Sequence, residues 1–366
     1  MFTEYDLQEL VKYKSSDPVI SLYLNTEPSK GNADTYKLRM RTMLKDVNLD
    51  KDVEIIERYF DHKYDWAGRG VAIFSSHSQS FFKTFPLALA VADKVVINDR
   101  PYIKPFASML DNYGCYGVAL VDKQNLLLFT YHLGVLNEIG KHIGEDVKRT
   151  KRGGASTFPG RRGGQSDVTG YSKETVWKNI KESADTASKL FEENHVRRII
   201  VGGSEENISM FLDELPKHTQ SLVVDTIAAS LNITYLELQD KVYSVCKKSE
   251  HKRGNKIVGD LFTNASKGRD AIIGLKDTLS AVNEARVYKL IVSDKYQVPG
   301  FRCHGCDFLT TDSGYVCLSC NKEVQSEEDI VERAISNVIR TGGKVEVIID
   351  NEQLEASHNI GAILRY

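Results

Sequence analysis

Long apolar runs are missing from this sequence. No stretch of its 366 residues is long enough to cross a bilayer as a helix, which excludes a helical membrane protein. The opening Met1-Phe2-Thr3-Glu4-Tyr5-Asp6 has neither the basic start nor the apolar core of a signal peptide, so a cytosolic chain is expected. An excess of one charge is missing too. The net charge of −2 forces no polyanionic partner, so any such contact must come from a local patch. Low-complexity linkers and long internal repeats are absent, which leaves domain boundaries legible only to within several residues. Cysteine is scarce, at six residues, and four of these fall in two close pairs. The other two, Cys115 and Cys246, read as ordinary small apolar side chains. An interchain disulfide is not expected in a reducing cytosol.

What is present is globular. Apolar residues make up 41% and charged residues 27%, enough to build cores in two or three domains of this length. The patterning gives an α/β class with three mixed α/β domains, at 1–112, 113–243 and 244–366. In the first, Val19-Ile20-Ser21-Leu22-Tyr23-Leu24 and Gly70-Val71-Ala72-Ile73-Phe74 read as strands, and 36 to about 60 as mostly helical. No catalytic spacing appears there, and Asp99-Arg100-Pro101-Tyr102 reads as a solvated connector. In the second, a hairpin turns around Lys123-Gln124. A long helix is expected from an N-cap at Ser172 to about Glu193, with Val176, Ile180, Ala184, Ala187 and Phe191 on its inner face. A β-α-β unit follows, and Gly202-Gly203 reads as a tight turn rather than an anion site. In the third, helices are expected at 255–264 and 269–284. Another starts from a box-like pair, Ser326 with Asp329, and ends at Gly342-Gly343.

Cys303, Cys306, Cys317 and Cys320 form C-x2-C-x10-C-x2-C. Two such knuckles on a short hairpin place four thiolates tetrahedrally around one zinc, so a zinc ribbon is expected at about 301–323. Protein fills all four positions, which makes the expected role structural.

The stretch from Val147 to Ser166 carries six cationic side chains and no acidic one: Lys148, Arg149, Lys151, Arg152, Arg161 and Arg162. It has no hydrophobic periodicity and reads as an exposed loop suited to a phosphate-rich partner. At its end stands Gly163-Gly164-Gln165. Two glycines permit positive φ and close backbone approach to a ligand. The bare tripeptide is a weak signal, since chance gives it in roughly one chain in ten or twenty of this size.

Three stretches together resemble the eukaryotic and archaeal class I peptide chain release factors of the Pelota superfamily. They are Arg162-Gly163-Gly164-Gln165-Ser166 before a long helix, Val223-Val224-Asp225-Thr226, and Ile360-Gly361-Ala362-Ile363-Leu364-Arg365-Tyr366 at the end. The likeness covers roughly 113–366. The first domain departs from it. Stop-codon readers carry an "NIKS" loop and a "YxCxxxF" segment, and neither is here. Arg100 to Phe106, "RPYIKPF", looks more like the release-factor-like rescue proteins of bacteria and archaea.

The resemblance implies a cytoplasmic factor that enters the ribosomal A site and hydrolyses the peptidyl-tRNA ester at the peptidyl transferase centre. Gly163, Gly164 and Gln165 would be catalytic. Lys148, Arg149, Lys151, Arg152, Arg161 and Arg162 would contact rRNA or tRNA. Codon-independent rescue is the expected mode, with a translational GTPase or ATPase as a possible assistant. Three readings stand beside it: stop-codon-dependent release, cleavage near the tRNA 3′ end, and a noncatalytic zinc-ribbon adaptor.

Overall fold

Thr3 and Asp6 close a capping box that starts α1 (Glu4–Lys12). Then comes β1 (Val19–Asn25), buried at every position. A strand with no polar face is one covered on both sides. Ile20, Leu22 and Leu24 share a core with Tyr36, Met40 and Leu44 of α2 (Ala33–Leu44) and with Ile56 and Phe60 of α3 (Asp50–His62). β2 (Gly70–Ser76), β3 (Phe81–Leu87) and β4 (Lys94–Asn98) complete an antiparallel sheet ordered β3-β2-β1-β4. Tyr23 meets Phe74 and Phe106 edge-on, and Phe106 belongs to α4 (Lys104–Asn112). The computed structural model describes residues 3–66, 68–112, 114–147, 165–314, 316–317 and 319–365.

β5 (Tyr116–Val121), β6 (Asn125–His132) and β7 (Val135–Ile143) form an antiparallel meander. After it come α5 (Gln165–Glu193), β8 (Arg198–Gly203), α6 (Glu205–Glu214), α7 (Lys217–Gln220), β9 (Val223–Ala228) and α8 (Tyr235–Ser266). β5, β8 and β9 are parallel, and the sheet order is β7-β6-β5-β8-β9. Val176, Ile180, Ala184, Ala187 and Phe191 of α5 pack in one core with Ala119, Leu128, Ile199 and Val201, as their helical spacing requires. Leu238, Val242, Val245 and Cys246 of α8 share a second core with Val118, Leu120 and Ile200. α5 begins at Gln165, ahead of the cap expected at Ser172. Gly170 only weakens a helix interior, by about 1 kcal/mol, and the long helix runs through it. At Gly203 a Cβ would stand 2.6 Å from the Val121 carbonyl oxygen, so close strand packing accounts for this glycine.

β10 (Ala271–Ile273), α9 (Leu275–Asn283) and β11 (Val287–Ser293) lead into a small antiparallel sheet. Its strands are β12 (Gly300–Cys303), β13 (Leu309–Thr310) and β14 (Val324–Glu327), ordered β13-β12-β14. Last come α10 (Ile330–Arg340), β15 (Lys344–Ile348), α11 (Glu352–Ala356) and β16 (Ile360–Leu364). The larger sheet is ordered β10-β16-β11-β15. The helix expected from 269 is shorter than its apolar pattern suggested. Residues 271–273 pair with β16, and Gly274, at φ +100, precedes the helical turn that starts at Leu275. Asp329 caps α10 by accepting from the N–H groups of Val331 and Glu332.

The described chain forms two compact units, 1–112 together with 250–366, and 113–249. The first and third expected domains thus belong to one unit, and the boundary expected near 243 falls inside α8.

Candidate functional site

The basic stretch lies between β7 and α5. Lys148, Arg149, Lys151, Arg152, Arg161, Arg162, Gly163 and Gly164 lie outside the described residues. Gln165 is the first residue of α5 by its backbone. Both described stems are held by one buried side chain. Asn179 of α5 accepts the Glu145 N–H at 2.8 Å and donates to the carbonyls of Glu145 at 2.9 Å and Lys123 at 3.2 Å. Lys178 adds a 2.6 Å bond to the Glu145 carboxylate. From that anchor back to its start, α5 extends about 21 Å at 1.5 Å per residue. The anchor therefore lies well inside the helix, and the helix start carries backbone N–H groups with no intrahelical partner.

The four cysteines converge. Their sulfur atoms all lie within 4.8 Å of one another. Cys303 and Cys320 are 3.3 Å apart, and Cys306 and Cys317 are 3.6 Å apart. The two knuckles repeat one geometry. In the first, the Gly305 N–H points at the Cys303 sulfur at 3.3 Å and the Asp307 N–H closes on the Cys303 carbonyl at 3.1 Å. In the second, the Ser319 N–H points at the Cys317 sulfur at 3.3 Å and the Asn321 N–H closes on the Cys317 carbonyl at 2.9 Å. Asp307 and Asn321 both sit at φ 58, the left-handed region that Asp and Asn tolerate best after glycine. Burial opposes ionisation of Cys303, but hydrogen bonds from the Gly305 and Cys306 N–H groups, with those of the Cys320 and Cys306 thiols, together bring its thiol down to about 6. Burial first, and then its sulfur neighbours, push Cys306 up to about 12. A bound cation would favour the thiolate form of its ligands. These four side chains could hold a metal ion.

Asp99 and Arg100 are not a solvated connector. Arg302 is buried and reaches three carboxylates: Asp99 at 2.8 Å, Asp307 at 3.0 Å and Glu327 at 2.6 Å. Buried Arg333 bonds Glu327 at 2.9 Å and also meets Asp99 and Asn98. Arg100 gives Asp307 a 2.9 Å bond. Burial alone would raise the Asp307 carboxyl; Arg100 and then Arg302 hold it down to about 2. The rest of "RPYIKPF" docks beside this network. The Tyr102 hydroxyl accepts from Lys94 at 2.9 Å and Gln297 at 3.0 Å, and buried Lys104 donates to the Tyr296 carbonyl at 2.6 Å. The N–H groups of Ile103 and Lys104 both bond the Glu332 carboxylate, at 2.7 and 3.0 Å. Sequence reading missed this clasp because its partners lie about two hundred residues apart.

Glu332 gives the clasp a pH dependence. Burial pushes its carboxyl up to about 8, and Asp329 adds to this against the pull of the Ile103 N–H and of the Lys104 and Arg333 charges. Tyr102 and Lys94 lie nearby, each linked to Asp329 by contact or by charge. An unfolded glutamate loses its proton near 4.5. Between those values the folded chain holds one proton more than the unfolded chain. Stability is therefore full below the lower value and falls as pH rises towards the upper one, by at most ~1.4 kcal/mol per pH unit. Thermal denaturation across that window should show the midpoint falling, and Glu332→Gln should flatten the fall. An equal slope in both proteins would remove Glu332 as its source.

Residues 101–241 match the family model described as bacterial archaeo-eukaryotic release factor family 10. The match covers 141 of the 366 residues, so it describes that segment and not the whole chain. The release-factor-like stretch takes in the clasp segment from Pro101, the whole β5–β9 sheet and the Gly163-Gly164-Gln165 tripeptide. No curated protein matches the sequence. Solved structures match at low identity. Dom34 of S. cerevisiae, a translation termination-like factor, aligns at 12% identity over 99% of this chain and 93% of its own, with a TM-score of 0.43. Ribosome-bound archaeal Pelota aligns at 14% over 100% and 94%, with a TM-score of 0.41. The archaeal translation termination factor aRF1 aligns at 13% over 98% and 96%, with a TM-score of 0.28. Likenesses this distant do not say what the present chain does. Among the described residues, no helix is long and apolar enough to cross a membrane.

Proposed function

We propose that this chain is a cytoplasmic translation factor that enters the ribosomal A site and hydrolyses the peptidyl-tRNA ester without reading a codon. The observation that carries the proposal is the sequence Gly163-Gly164-Gln165, whose Gln165 opens a 29-residue helix, inside the segment that matches a release-factor family. The substrate is an activated acyl ester, so little acid–base machinery is needed. A positioned water and donors at the developing negative charge suffice. The glycines would let the backbone approach the tRNA 3′ end. Gln165 would offer its backbone N–H to the tetrahedral intermediate, while its side chain limits which nucleophile fits. Lys148, Arg149, Lys151, Arg152, Arg161 and Arg162 would hold rRNA or tRNA phosphates. A translational GTPase or an ATPase is the assisting partner in this reading.

A reconstituted release assay tests it. Ribosomes with a stop codon, a sense codon and an empty A site should release free peptide at similar rates, leaving intact tRNA. Strong acceleration by stop codons would replace rescue with conventional termination. Peptide still joined to 3′-terminal nucleotides would mean tRNA cleavage, and no product at all would mean a noncatalytic adaptor.

The same reading gives the four cysteines one structural zinc, in a ribbon at about 301–323. At a Zn–S distance of about 2.3 Å, a regular tetrahedron sets its sulfurs about 3.8 Å apart. The spacings of 3.3 and 3.6 Å are near this. Four protein ligands leave no open position, so zinc would stabilise the fold and take no part in hydrolysis. Metal binding in such sites is also folding energy. Cys303→Ser should therefore lose the zinc and lower the melting temperature of its unit, as read by elemental analysis and calorimetry. Well-folded wild-type protein without metal would refute the assignment.

A further inference from the structure

Asp307 belongs to two structures at once. Its backbone closes the first cysteine knuckle, at φ 58 with its N–H on the Cys303 carbonyl. Its carboxylate receives Arg100 at 2.9 Å, Arg302 at 3.0 Å and Arg340 at 3.4 Å. The left-handed backbone costs a non-glycine residue about 1 kcal/mol, so something must hold it. Arg302 and Arg340 come from the same segment as the knuckle. Arg100 comes from 207 residues earlier and is buried. Its Nε has no hydrogen-bond partner among the described residues, so the Asp307 bond is what fixes its guanidinium.

We propose that Arg100 is a positioning residue of the four-cysteine site, so that metal affinity and the docking of residues 100–106 on the last segment are thermodynamically linked. This rests on the metal reading of the four cysteines. A metal needs the Cys303 and Cys306 sulfurs at one separation. The turn that ends at Asp307 sets that separation, and Arg100 holds the turn through its carboxylate. The converse follows by reciprocity: a filled site orders the knuckle and presents the carboxylate to Arg100. Such couplings typically amount to about 5- to 150-fold in affinity.

The test uses the full chain and Zn2+ against a competing chromophoric chelator. Arg100→Ala should bind Zn2+ at least about fivefold more weakly. Arg302 and Arg340 still neutralise Asp307 in that variant, so the knuckle is not left with a lone buried charge. Arg100→Lys, which keeps the charge and loses the fork, should recover part of the affinity and serves where the alanine variant does not fold. Asp307→Gly keeps the left-handed turn without a carboxylate, and adding Arg100→Ala to it should change nothing further. In the reverse direction, stripping Zn2+ should speed amide exchange at residues 102–104. Unchanged Zn2+ affinity in Arg100→Ala overturns the proposal alone. So does an equal loss in both backgrounds, which would make Arg100 a general stabiliser. A wild-type chain that binds no Zn2+ overturns it together with the metal reading.

Discussion

Gly164→Ala should lose hydrolysis by about a hundred- to a thousandfold, the usual cost of removing one oxyanion donor. The reason is local. In the proposed reading the loop would bring backbone N–H groups against an ester that sits between RNA surfaces, and a methyl group at this position would both restrict φ and occupy the approach. In the same reading binding would draw on dispersed cationic contacts, so the variant should still occupy the ribosome. The double change Arg161→Ala with Arg162→Ala should do the reverse, giving weaker binding with a shallower dependence on salt. Peptide release measured at saturating factor, beside filter binding at several salt concentrations, separates the two. Wild-type rates in Gly164→Ala would end the catalytic assignment.

The second large effect concerns stability. Glu327 is buried and accepts the Nε–H groups of both Arg302 and Arg333. Glu327→Gln leaves two buried guanidiniums short of a counter-charge. Breaking a buried pair in this one-sided way costs about 3–5 kcal/mol. The loss should appear as a lower urea midpoint for the unit made of the first and last segments. An exposed pair such as Arg58 with Glu54 should give almost nothing when cut in the same manner. Equal, small effects for both would mean that the network adds little to stability.

The contrast between these sites shows what a sequence can carry. The C-x2-C spacing is a local instruction: two residues between cysteines fix where both sulfurs point. The mostly apolar β1 and the inner face of α5 are legible for the same reason, since each pattern repeats within a few residues. β4 was not legible, because Lys94 and Asn98 flank three apolar residues and its pairing lies wholly with β1. Asp99 and Arg100 failed more completely. Taken alone, a charged pair before proline describes a surface turn. Only Arg302, Arg333 and Asp307, over two hundred residues further on, turn it into a buried junction. Nothing in local periodicity encodes a partner at that distance.

That distance also sets a timetable. The bond from Ile103 to Glu332 spans 229 residues. At about 5–20 residues per second, a ribosome needs roughly 11–46 s to make the second partner after the first. Through that interval the new chain carries Arg100, Tyr102 and Lys104 without their later partners. The first segment must therefore wait with a ready-made socket open to solvent. Its β1–β4 sheet can form early, since its strands pair within the first hundred residues. Closure of the junction is left as one of the last events in the making of the molecule.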